Sequence, residues 1–125
     1  MGYESRVYVV AVSTFEGTRG PVVLPEVIAA VDMCMMGYDN GWRELFKTEI
    51  NYNFTGFDCV GDDYITEDCY GESLKSCPLS EVVAWLEREM TQSNYRRLRT
   101  LYGLLKTFDS PAWAGETLEV VHFGY

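Results

Sequence analysis

Histidine is almost absent from this chain: His122 is the only one in 125 residues. The four cysteines, Cys34, Cys59, Cys69 and Cys77, form no Cys-x-x-Cys pair. A zinc site is therefore not expected. No apolar run approaches the roughly 20 residues of a membrane span. Met1 to Arg6 has no apolar h-region, which predicts no secretory signal. Arg6 also stands where a myristoylation pattern needs Ser or Thr. Together these absences predict a cytoplasmic protein whose cysteines stay reduced and pack mostly as small hydrophobes. In such a chain the sequon-like Asn53-Phe54-Thr55 has no consequence.

Positive charge is scarce as well. Ten Lys and Arg face nineteen Asp and Glu, a net charge of -9. That balance disfavours nucleic acid and anionic membrane as direct partners. It favours a basic partner surface, such as one that normally holds nucleic acid. The chain also lacks a Gly-rich phosphate loop, a nucleophile elbow and a metal-ligand cluster. The expectation is a binding protein, with no catalytic residue, metal or cofactor.

What is present is enough to fold. The composition is 47% hydrophobic and 14% aromatic, which argues against disorder. The length suits one domain with a real core. No repeat or linker divides residues 1–125.

Arg6 to Ser13 is β-branched and apolar on both faces, which predicts a central strand. Phe15 to Pro21 reads as a loop broken by Gly17, Gly20 and Pro21. Pro25 suits the first position of a helix running to about Met36, with Val27, Ile28, Val31, Cys34 and Met35 as its buried face. Asn40-Gly41 predicts a turn, with a short helical piece from Trp42 to Phe46. Glu49 to Thr55 alternates, with Ile50, Tyr52 and Phe54 on one side of a strand. Tyr64 to Tyr70 reads as the next strand, and Gly71-Glu72 as a hairpin turn. That register sets Asp68 opposite Lys75 and Cys69 opposite Leu74.

Pro78 ends the returning strand, and Ser80 can cap a helix from Glu81 to Met90. Its apolar side is Val82, Val83, Trp85, Leu86 and Met90. A second helix is predicted from about Asn94 to Phe108, with Tyr95, Leu98, Leu101, Tyr102, Leu104, Leu105 and Phe108 as its stripe. Ser110-Pro111 breaks it, and Thr117 to Phe123 forms a last strand, apolar except for Glu119. The sum is an α+β domain: about five mostly antiparallel strands, with three to four helices packed on the sheet.

The strongest charge feature is Phe57 to Glu72. It holds Asp58, Asp62, Asp63, Glu67, Asp68 and Glu72, and no Lys or Arg. Gly61-Asp62-Asp63 has the form of the polymerase hairpin whose carboxylates hold two metal ions. The palm and fingers that such chemistry needs do not fit in this length, and the tripeptide is ordinary turn composition. The acids also miss the fixed alternate positions of a calcium loop. They read as a solvated strand face or as a negative docking surface.

A second cluster, Arg88, Arg96, Arg97, Arg99 and Lys106, falls on the two predicted helices. Arg96, Arg97 and Arg99 are the candidates for binding an anion. The plainer reading pairs this face with Glu87 and Glu89. His122 reads as a core or edge histidine, and Trp42, Trp85 and Trp113 as mainly core.

In general form the chain resembles the small acidic inhibitors that phages carry against bacterial defence, the anti-CRISPR and antirestriction proteins. Arg6-Val-Tyr-Val-Val-Ala-Val, a Gly-broken loop and Val22-Val23-Leu24 resemble the opening of ArdA-type antirestriction proteins. The likeness covers at most the first thirty residues. The Trp that follows the loop there is missing, and no functional residue carries over. The resemblance implies an inhibitor that occupies a basic, nucleic-acid-handling surface of a host protein. Two other classes stay open: a binder or sponge for an anionic small molecule or nucleotide, and a metal-dependent nuclease. Oligomeric state is not readable.

Overall fold

The computed structural model describes residues 5–33, 41–50, 52, 73–90 and 96–124. Their centre is one antiparallel sheet of five strands in the order β2-β1-β5-β4-β3. The strands are β1 (Ser5–Gly17), β2 (Gly20–Asp32), β3 (Thr48–Glu49), β4 (Lys75–Pro78) and β5 (Thr117–Gly124). Helices α1 (Leu79–Met90) and α2 (Arg96–Phe108) follow β4, and single 3-10 turns lie at Arg43–Leu45 and Pro111–Trp113. The α+β class holds. The described residues contain two α-helices rather than three to four.

The missing helix is the one expected from Pro25 to Met36. Residues 20–32 are instead β2, paired along its length with β1. Two local features account for the difference. Val9 pairs Ala29 while Val10 pairs Val27, so Ile28 is an extra residue in a β-bulge. The bulge breaks the period of two: Ile28, Ala29 and Val31 pack on one side of the sheet, Val27 and Ala30 on the other. That spacing imitates a helical stripe. Pro25 is tolerated because β2 is the edge strand, where a missing N–H breaks no ladder. The edge is long, and the bulge and prolines blunt it against pairing with another chain.

The expected loop from Phe15 to Pro21 shrinks to the turn Thr18-Arg19, since Gly17 already pairs Gly20. Gly20 has φ +111. A Cβ on Gly17 would lie 2.7 Å from Val22 Cγ2. Glycine at both positions closes the hairpin.

β1 and β5 are central, as their two-sided apolar character requires. Val7, Val9, Val120 and Cys77 face the helices, where Val82, Val83, Trp85 and Leu86 of α1 meet Leu98, Leu101 and Leu105 of α2. Each such fully buried side chain contributes about 1.5–3 kcal/mol. Tyr8, Val10 and Val121 face the other way and pack with Tyr52 and Leu74. α1 begins at Leu79, so Ser80 lies inside the first turn rather than capping it. Pro78 does end β4, and the break at Ser110-Pro111 leads into the second 3-10 turn.

Lys75 stands between Glu49 of β3 and His122 of β5. Both of its ladder sides are taken, which replaces the register that set it against Asp68. Asp68 and Cys69, the strand from Tyr64 to Tyr70 and the turn at Gly71-Glu72 lie outside the described residues.

Candidate docking surface

Asp58, Asp62, Asp63, Glu67, Asp68 and Glu72 all lie outside the described residues. The residues that root this segment are described. The Ile50 N–H donates to the Leu74 carbonyl at 3.2 Å. The Tyr52 hydroxyl donates to Glu119 Oε2 at 2.7 Å. Tyr52, Leu74 and Ile50 all pack on the sheet face opposite the helices. The described residues that flank 53–72 in the chain therefore meet at one place, beside the β3–β4 edge.

The charge is partitioned in the same way. All ten Lys and Arg belong to described residues, and so do eleven of the nineteen acids. The described residues taken together are close to neutral. The excess negative charge belongs to Glu4, Asp39 and the six carboxylates between Asp58 and Glu72.

The reactive side chains of the body have structural work. Cys77 is 1% exposed, and its thiol donates to Glu81 Oε2 at 3.5 Å. Burial, then the hydrogen bond and charge of Glu81, push this thiol up to about 12, with Lys47 partly opposing. Burial, then the bond to and charge of Glu119, raise the Tyr52 phenol well above its ordinary value. His122 stacks on Phe46 at 5.0 Å between ring centroids and meets Trp42 edge-on at 5.9 Å. It is a packed aromatic-cluster residue, as read from its apolar strand.

Both shifts run upward, so the fold favours the protonated thiol and phenol. Their stabilisation is complete below the ordinary values of 9 and 10 and is lost as pH climbs toward the folded ones. The melting temperature is expected to hold to about pH 8.5 and to fall from pH 9 to 12. Cys77→Ala should flatten the early part of that fall. An unchanged profile in the variant would contradict this account of Cys77.

Sequence reasoning missed the Tyr52–Glu119 bond. The available signal was Glu119, the one charge in an otherwise apolar central strand. Tyr52→Phe removes the donor to this part-buried carboxylate and is expected to cost about 1.5–3 kcal/mol in urea unfolding. A cost below about 0.5 kcal/mol would show that Tyr52 does not anchor the edge.

The three candidate anion-binding arginines are not brought together. Arg97 Nη1 donates to the Asp32 carbonyl at 2.6 Å and lies 3.6 Å from its carboxylate. This clamps α2 to the end of β2. Arg96 and Arg99 are exposed on the outer side of α2. Lys106 lies 3.8 Å from Glu87 and 3.4 Å from Asp109, part of the pairing expected for this face. A groove of about 570 Å³ runs past Phe108, Trp113, Asp109 and Glu116. Another, of about 440 Å³, lies between Glu44, Lys47, Trp85 and Arg88. Neither is lined by Arg96, Arg97 or Arg99.

No protein family, curated protein or solved structure matches this chain.

Proposed function

We propose that this protein is a non-enzymatic inhibitor that docks the acidic stretch Asp58–Glu72 on a basic, nucleic-acid-handling surface of a host protein, blocking it by occupancy. The observation that carries the reading is the separation of charge. The described residues are near neutral, and Ile50 and Leu74, which are hydrogen-bonded to each other, flank a stretch with six carboxylates and no Lys or Arg. Self-repulsion within such a segment costs stability, and a complementary partner offsets that cost. The general likeness to phage inhibitors of bacterial defence agrees, and on that likeness the host protein is a defence protein in the cytoplasm. The buried thiol of Cys77 and the hydrogen-bonded Tyr52 fit a scaffold role.

Tagged protein is expected to retain a basic nucleic-acid-binding protein at 0.1 M salt and release it at 1 M. Addition of the purified inhibitor should displace nucleic acid from that protein stoichiometrically. Binding without displacement would refute blocking by occupancy. Mg²⁺-dependent cleavage of nucleic acid, lost in Asp62→Asn with Asp63→Asn, would replace the reading with a nuclease.

A further inference from the structure

The outer face of α2 holds a glycine that the fold does not require. Leu98, Leu101 and Leu105 are the buried stripe of this helix. At 3.6 residues per turn, Gly103 and Arg96 point directly away from that stripe, with Arg99 and Lys106 on one flank. A Cβ on Gly103 would meet nothing within 4 Å. Glycine is the poorest interior helix residue after proline, so the body gains nothing from it here. What glycine allows is close approach by another chain.

The surroundings of Gly103 say which kind of chain. Lys106 is engaged by Glu87 and Asp109, while Arg96 and Arg99 form no ion pair among the described residues. Thr100 and Thr107 fold their hydroxyls back onto the Arg96 and Gly103 carbonyls. The face is thus positive and flat at its centre. Nucleic acid fits it poorly, because such affinity needs many neutralised phosphates and the molecule carries -9 overall. An acidic segment of protein fits it well, and this chain carries one.

We infer that the outer face of α2 receives residues 58–72 of a second copy, giving head-to-tail self-association. The inference rests on reading that stretch as a docking surface. Tyr52 and Leu74, the described residues that flank the stretch in its own copy, pack on the sheet face away from α2, which favours contact between molecules. A heterologous contact of this kind adds copies head to tail until a ring or a reciprocal pair closes the assembly. Self-association would also hold the acidic stretch in reserve at high concentration.

Sedimentation velocity tests it, run over a range of concentrations at 0.05 M and 0.5 M salt. Concentration-dependent association is expected at low salt and its loss at high salt. Arg96→Glu with Arg99→Glu should abolish it, as should Asp62→Asn, Asp63→Asn, Glu67→Gln and Asp68→Asn combined. Mixing these two variants should restore a 1:1 complex, because each keeps one intact face. Gly103→Ala should raise the melting temperature by about 4 °C and yet weaken association roughly tenfold, which a merely tolerated glycine would not do. A monomer under every condition overturns the inference. So does association indifferent to Arg96 and Arg99, or oligonucleotide binding that depends on them. Host binding that persists in a monomer would sink the inference alone and leave the proposed function standing.

Discussion

Trp42→Ala is expected to lower the unfolding free energy by about 3–5 kcal/mol. Trp42 is 1% exposed. Its ring lies 5.1 Å from Phe46, 5.4 Å from Trp85 and 5.9 Å from His122, centroid to centroid. These four rings join the 41–50 segment to α1 and β5. Truncation leaves a void that no neighbouring element can move into, since β5 is fixed by β1 and β4 on its two sides. Domains of this size have about 5–15 kcal/mol in total, so much of the margin would go. The indole Nε1 is buried with no hydrogen-bond partner among the described residues. Trp42→Phe therefore loses packing but no hydrogen bond to a described residue, and should cost clearly less than Trp42→Ala. Urea unfolding followed by circular dichroism separates the two. Equal losses would show that the indole makes a polar contact the fold depends on.

The elements that reasoning from sequence recovers are those whose residues obey one period without interruption. β1 is rich in valine from Val7 to Val12, β5 is mostly apolar from Leu118 to Phe123, and α1 and α2 carry clean apolar stripes. β2 fails that condition. One inserted residue, Ile28, shifts its alternation, and Pro25 mimics a helix start while sitting harmlessly on a sheet edge. Among the described residues β3 covers only Thr48–Glu49, so its partner had to come from the fold rather than from its own pattern. The partner of Lys75 was misassigned for a similar reason. A two-residue turn suggested a local hairpin, while the sheet places Lys75 between strands that begin at Thr48 and Thr117.

The candidate site divides along the same line. Its charge is a property of composition and is plain in the acids from Asp58 to Glu72. Its mounting is not, because the Tyr52–Glu119 bond spans 67 residues and no local pattern encodes such a contact. The arginines show the reverse. They are neighbours in sequence, but the helix turns Arg97 toward Asp32 and leaves Arg96 and Arg99 on the outer face.

Neutralising the acidic stretch is expected to separate stability from binding. Asp62→Asn, Asp63→Asn, Glu67→Gln and Asp68→Asn remove four like charges from a segment with no internal counter-charge. The melting temperature should stay level or rise, because self-repulsion falls. Association with a basic partner should slow by about 10- to 100-fold at 0.1 M salt, since steering by complementary charge acts mainly on the on-rate. Dissociation should change less. Loss of the fold in this variant would mean that the carboxylates have structural partners.

The most direct measurement is the association rate with the captured basic partner as salt rises from 0.1 M to 1 M, for wild type and this variant side by side. Screening shortens from about 10 Å to about 3 Å over that range. A docking surface predicts a steep decline for the wild type and a flat, slow rate for the variant, the two converging at 1 M. Parallel curves of equal height would mean that the stretch only solvates the fold, and would contradict the account.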